Sequence, residues 1–316
     1  MTAPDSHSPR VERLRARATL LARLRQFFID RDFVEVETPL LGDEVIPELH
    51  IEPIAINGRW LQASPELHMK RLLAEGMPAI FQASRCFRRG ERGRLHNPEF
   101  TMVEWYRVGD DFQQGMALLA ELVQTLLGER APIRQTTYAT AFAEHAGVDA
   151  HRDSAEELEA AARRRLIAIP AEFPKNDRDE WLYLILAAVI EPQLGSDGPE
   201  ILCEYPTTQA ALAKTRTTDA GIEIAERFEL YWRGVELANG YHELTDAAAL
   251  RERFVEVNRQ RAADGRPALP LPEKFLAAHQ LGLPPCSGCA LGFDRLAMLA
   301  CGATSIDDVM AFTWDG

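Results

Sequence analysis

The stretch AIFQASRCFRRGERGRLHNPEFTMVEWYR, residues 79–107, constrains the fold more than any other part of the chain. Two apolar runs flank a loop that carries Arg85, Arg88, Arg89, Arg92 and Arg94, which predicts a long β-hairpin with a basic loop. In the second arm Phe100, Met102, Glu104 and Tyr106 share one parity and point to one face of a pleated strand. Phe100 and Met102 suit a core. A glutamate and a tyrosine continuing the same inward row need another explanation.

The rest of the chain divides around this hairpin. Behind Ser8-Pro9, a capping serine with proline in the first turn, the spacing of Val11, Leu14, Ala18, Leu21, Leu24 and Phe28 predicts a helix over 8–31. DFVEVETPLL (32–41) alternates apolar and acidic residues into Thr38-Pro39 and predicts a strand with a hard stop. Residues 59–76 predict a short strand, a turn at Ser64-Pro65 and a helix ending near Gly76, and 113–127 another helix. From about 128 to 198 the texture changes to that of a helical insertion, with a capping box at SAEE (154–157) and a helix ending in Arg163, Arg164 and Arg165. Cations at a helix C-terminus explain that run better than nucleic-acid binding does. Strands follow near 200–204, 223–232 and 234–244, then a helix at 246–262, a proline-rich loop and a strand-to-helix unit at 289–300. Strands arrive in hairpins, so the expected fold is α+β with a mainly antiparallel sheet. Residues 1–8 are expected to be a disordered start, and 9–316 one domain.

Composition removes several classes of function. The formal net charge of −13 argues against broad attraction to nucleic acid. The start MTAPDSHSPR does not read as a secretory leader, and the apolar run from Trp181 to Ile190 is half the length needed to cross a bilayer. A cytoplasmic protein without membrane contact is expected. The five cysteines are an odd number, and CSGC at 286–289 lacks a second ligand pair, so buried thiols are expected and not a zinc or redox site.

Three groups of polar residues do not fit a plain core. Arg88 closes the first hairpin arm, across from the acids of the second, where it can clamp a phosphate. Glu236 and Glu243 in GVELANGYHELTD would face opposite sides of a regular strand unless a bulge, signalled by Asn239-Gly240, restores their parity. Brought together they suit Mg²⁺, which takes oxygen ligands and shares them with phosphates; the plainer reading is two surface acids on an edge strand. In ALGFDRLAML, Gly292 lets a flat ligand approach the backbone, Asp294 can cap the following helix, and Arg295 sits in its first turn against the helix dipole. An anionic ligand explains that arginine. Together these groups describe a nucleoside triphosphate on a metal-bearing antiparallel sheet, with neither a P-loop nor GxGxxG in the sequence.

FVEVETPLL, CFRRGERGRLHNPEFTMVEWY and ALGFDRLAML resemble the three signature motifs of class II aminoacyl-tRNA synthetases. SPELHMKRLL, HNPEFTM and ELANGYHELTD place the resemblance in the lysyl branch, and within it the chain is most similar to stand-alone paralogues that ligate (R)-β-lysine to a lysine of translation elongation factor P. The resemblance implies ATP and Mg²⁺, a homodimer formed through motif 1, and no tRNA substrate. It implies that Arg88, Arg89, Gly90, Asn97, Glu236, Leu237, Gly292 and Arg295 meet ATP, with Arg88 and Arg295 on the reacting phosphate. Ser64, Pro65, Glu66, Tyr106, Glu243 and Ala290 would form the amino-acid pocket, and Glu236 and Glu243 would serve the metal. The acids of the inward row then become a pocket floor for a cationic substrate. Two departures stand out: Gly90 occupies the place of the motif 2 glutamate, with Glu91 next, and Ala290 stands where lysyl-tRNA synthetases carry glycine. The apolar stripe from Val11 to Phe28 exceeds what one small domain needs and supports a dimer. The alternatives are a truncated lysyl-tRNA synthetase acting on α-lysine, an amide ligase similar to asparagine synthetase, and a non-catalytic amino-acid-binding regulator.

Overall fold

The computed structural model describes residues 8–128 and 132–314; of the expected disordered start only Ser8 is among the described residues. Helix α1 (Pro9–Ile29) begins where Ser8 Oγ accepts the Val11 N–H, and leads through β1 (Val34–Glu35) into a small sheet of β2 (Leu41–Gly42), β3 (Ala55–Ile56) and β4 (Arg59–Leu61). After α2 (Glu66–Ala74) come the hairpin arms β5 (Ala79–Phe87) and β6 (Glu99–Val108), then α3 (Phe112–Leu127). The next block holds β7 (Arg134–Thr137), α4 (Tyr138–Ala141), α5 (Ala155–Arg164) and α6 (Arg178–Ile185), with π-helical turns at Phe142–Ala146 and Leu186–Ile190. Strands β8 (Glu200–Pro206), β9 (Thr215–Thr217), β10 (Glu223–Trp232) and β11 (Val235–His242) precede α7 (Ala247–Ala263), α8 (Glu273–Gly282), β12 (Cys286–Gly292) and α9 (Phe293–Ala300).

The large sheet runs β1-β5-β6-β12-β11-β10-β8-β7, with β9 added to β10, and is antiparallel except at its two edges, where β1 pairs β5 and β7 pairs β8 in parallel. Period-two alternation gives this sheet two unlike faces. Val103 and Trp105 of β6, Leu291 of β12 and Phe228 and Leu230 of β10 pack against α1, α3 and α9 in the main core. The opposite face carries Glu104, Tyr106, Gly288, Ala290, Arg227 and Glu229 and is left open as a cavity floor. One side is sealed by apolar packing and the other is chemically furnished.

Several expectations need correction. The strand expected over 32–41 shrinks to the two residues of β1, because Thr38-Pro39 cannot continue a ladder and β1 lies at the sheet edge. The insertion is not all helix: β7 extends the sheet beside β8, and Arg134 pairs there with Glu200. Helix α8, passed over between the proline-rich loop and the last strand, forms because Phe275 and Leu276 bury against Phe254 of α7. The capping box at Ser154 and Glu157 is present as expected, as are buried free thiols at Cys286 and Cys289, which lie within β12 and pack into different clusters.

Candidate active site

Register places the floor residues in two rungs. Glu104 of β6, Ala290 of β12 and Asn239 of β11 are cross-strand partners, and so are Tyr106, Gly288 and Tyr241. Above them lies a cavity of about 770 Å³, walled by the loop 48–51, by Tyr183 and Gln209 from the insertion side, and by α7. The parity of Glu236 is restored by a β-bulge, but at Leu237: Leu230 opposes Ala238 and Tyr231 opposes Glu236, so Leu237 is the extra residue. Asn239-Gly240, the expected signal, stays in regular register; Gly240 is needed there because a Cβ would come within 2.4 Å of the Phe228 ring. The bulge sends the Leu237 side chain into the main core, so that it does not line the cavity and only its carbonyl faces Gly292.

One group of lining residues is organised by a lysine. Lys70 of α2 is 1% exposed, and its Nζ sits between Glu66 and Glu243, 2.6 Å from the latter. Burial alone would lower the Lys70 pKa, but Glu243 and Glu66 more than offset it and hold the ammonium charged. Glu243, expected as a metal ligand, and Glu66, expected as the acid awaiting a substrate cation, are therefore already partnered. A third acid on the cavity floor, Glu104, accepts from Ser64 Oγ at 2.5 Å and Tyr106 Oη at 3.0 Å. Burial, then repulsion from Glu66, pushes its carboxyl up to about 8. Pro65 stands at the N-cap of α2 outside the cavity lining.

A second group is organised by arginines. Arg88 stacks over Phe100 at 5.0 Å and is held only loosely, by the Ala63 carbonyl at 3.4 Å and Glu91 at 3.7 Å. Gly90 adopts φ +77°, a conformation that favours glycine, and the turn brings Glu91 back onto Arg88. Arg89 is fixed through its backbone N–H to Glu52 O, and Asn97 uses its amide on Glu99 O and the Trp314 N–H. Arg295 reaches from α9 to Glu236 O at 2.9 Å, Glu236 Oε2 at 3.2 Å and His96 Nε2 at 2.6 Å. Asp294 does not cap α9: it accepts the Thr101 N–H and pairs with Arg17, which ties α1 to the sheet. Around Gly292 an added Cβ would meet nothing closer than 3.7 Å, so packing within the chain does not demand glycine there.

Sequence reasoning missed Glu229, Arg227, Glu191, Lys70 and Gly288. Arg227, Glu229 and Tyr231 form an inward row on β10 whose parity was legible, yet the run reads simply as a strand. Tyr231 Oη donates to Glu229 at 2.6 Å and also meets Glu191 at 3.4 Å. Burial and then Glu229 raise the Glu236 pKa, and burial, Glu229 and Glu236 push Glu191 up to about 7. Glu191, Glu229 and Glu236 repel one another, and Glu229 and Glu236 are met by Arg227 and Arg295 as Glu243 is met by Lys70. Among the described residues no group of three His, Cys, Asp or Glu side chains forms a complete cage. Mg²⁺ does not need one where phosphates supply further oxygens. Gly288 is required because a Cβ there would lie 2.2 Å from the Tyr106 ring and 2.6 Å from Glu243 Oε1.

A mainly antiparallel sheet with one face packed into the core and the other open under arginines and buried acids is the architecture of a class II synthetase core. The family model described as tRNA synthetases class II (D, K and N) matches residues 6–315, and the chain belongs to that family. It is 42% identical, over 99% of its length and 98% of theirs, to proteins named Elongation factor P–(R)-beta-lysine ligase from Salmonella dublin, Salmonella paratyphi B and Salmonella heidelberg.

Proposed function

We propose that this chain uses ATP to activate (R)-β-lysine as an acyl-adenylate and transfers it to a lysine side chain of translation elongation factor P. The observation that carries this is a single cavity lined by both the loosely held Arg88 and the buried carboxylate Glu104. A cationic amino acid held by Glu104 presents its carboxylate toward a triphosphate held by Arg88 and Arg295. A carboxylate oxygen attacks the α-phosphorus in line, the bond to the bridging oxygen breaks and pyrophosphate leaves. Acceleration comes from positioning and from the two guanidiniums, which offset charge on the phosphoryl oxygens. Mg²⁺, held by Glu229 and Glu236, would supply Lewis-acid neutralisation of the phosphates. Ala290 adjoins Glu104 on the floor, and its methyl narrows the space beside the α-carbon, in keeping with a β-amino acid.

This reading includes a cytoplasmic homodimer that does not charge tRNA. The net charge of −13 fits the last point, because a tRNA grip depends on phosphate contacts. No described helix is long and apolar enough to cross a membrane. The test is pyrophosphate exchange with α-lysine and (R)-β-lysine, for wild type and Ala290→Gly. Wild type is expected to prefer the β-isomer, and the glycine variant to shift the isomer ratio toward α-lysine by about 10- to 200-fold, the range one methyl can command. Preference for α-lysine with efficient tRNA charging would replace this reading with that of a lysyl-tRNA synthetase.

A further inference from the structure

A lysine acceptor arrives as an ammonium and cannot attack an acyl-adenylate until it gives up a proton. Most carboxylates around the cavity are already engaged. Glu66 and Glu243 hold Lys70, Glu236 meets Arg295, Glu229 meets Arg227 and Tyr231, and Glu104 accepts from Ser64 and Tyr106. Glu256 pairs with Arg259, and Glu252 is exposed on the outer wall. Glu48 differs from all of these. It is half-buried in the cavity wall, and among the described residues no hydrogen bond or ion pair reaches its carboxylate.

Its position is nevertheless built. The fully buried Arg261 of α7 donates to the Glu48 carbonyl at 3.0 Å and to Glu52 Oε2 at 2.9 Å, and Arg266 donates to the Leu49 carbonyl. Two arginines thus hold the backbone at and just after Glu48, whose free carboxylate belongs to the cavity lining. We propose that Glu48 accepts the proton of the incoming acceptor ammonium in the transfer step. This rests on the ligase reading above. The acceptor N–H⁺ proton passes to Glu48, the neutral nitrogen forms a bond to the acyl carbon, and the bond from that carbon to the phosphate oxygen breaks. AMP leaves, taking up the second proton lost by nitrogen, and Glu48 returns its own to water.

The charged and titratable groups around Glu48 are Glu66 and Lys70 of α2, Arg88 beyond β5, Arg227 of β10, Tyr241 of β11 and His50 of its own loop. Burial and Glu66 push its carboxyl up to about 7 against the pull of the three cations, which suits a base working near neutrality.

The test separates the half-reactions. Glu48→Gln is expected to keep pyrophosphate exchange within about threefold of wild type, which also reports that it folds. From preformed adenylate it should transfer to elongation factor P and to Nα-acetyl-lysine methylamide about 10² to 10⁴ times more slowly at pH 7. Hydroxylamine, already neutral at that pH, should consume the adenylate at the wild-type rate, and Glu48→Asp should recover part of the transfer. Equal slowing with hydroxylamine, a parallel fall in exchange, or unchanged transfer would overturn the role. A wild type that modifies the small lysine but not elongation factor P would instead refute the acceptor assigned above, while the small lysine still reads out Glu48.

Discussion

At the residue scale the cavity is governed by which charges are neutralised before any substrate arrives. Lys70 takes up Glu66 and Glu243, and Arg295 takes up Glu236, and in the proposed reaction Glu104 receives the substrate ammonium. Its folded pKa of about 8 lies above that of an exposed glutamate, near 4.3. The folded protein therefore binds more protons at Glu104 than the unfolded chain does between those values. Its contribution to stability is present in full below the lower value and lost as pH rises through the upper one. A substrate ammonium reverses the balance, because it favours the ionised form. Binding (R)-β-lysine at pH 7 should release close to one proton per site, measured by calorimetry in buffers of different ionisation enthalpy, and Glu104→Gln should abolish the release. Buffer-independent heats for wild type would show that Glu104 is already ionised or does not meet the ammonium.

At the element scale the site depends on how strands are registered. The bulge at Leu237 turns Glu236 to the face that Asn239 and Tyr241 occupy, and the rung Tyr106–Gly288–Tyr241 needs a residue without a side chain at its centre. Gly288→Ala should force the Tyr106 ring away from Glu104 and cost about 1–3 kcal/mol in overpacking. It is expected to raise KM for the amino acid with KM for ATP nearly unchanged; an unaltered amino-acid KM would mean the ring yields without disturbing the pocket. The hairpin, the inward row from Met102 to Tyr106 and the α9 arginine were legible because period and dipole leave marks in a single segment. The partners of Glu66 and Glu243 were not. Lys70 lies four residues from one and far along the chain from the other, and only tertiary packing brings the three together. Asp294 illustrates the same limit, since its position suggests a local cap and the fold spends it on Arg17 and Thr101.

At the scale of the whole molecule, only the second half of the α1 stripe proves to be internal: Leu24 and Phe28 are buried, whereas Val11 and Ala18 are exposed. Leu24 and Phe28 pack into the main core together with Leu20 and Phe27, and Leu21 packs against it, so this half of the helix offers little to a second copy. Besides Val11, a group of exposed apolar residues lies just beyond: Ile29, Val34, Leu40, Leu41 and Ile56, from the end of α1, the sheet edge at β1 and the small sheet. A short edge strand flanked by exposed aliphatic side chains is a surface that favours pairing with a symmetric copy. The same segment continues into the loop that carries Glu48, and Leu40 O accepts the Gln62 N–H just ahead of Ser64. Association through this edge would therefore brace both the Glu48 loop and the amino-acid pocket. The protein is expected to scatter light as a dimer at micromolar concentration. Val34→Lys combined with Leu41→Glu should give a folded monomer, with unchanged circular dichroism and a transfer rate reduced more than pyrophosphate exchange. A monomeric wild type, or a double variant that stays dimeric, would place the association surface elsewhere; a fully active monomer would leave the dimer without a part in the chemistry.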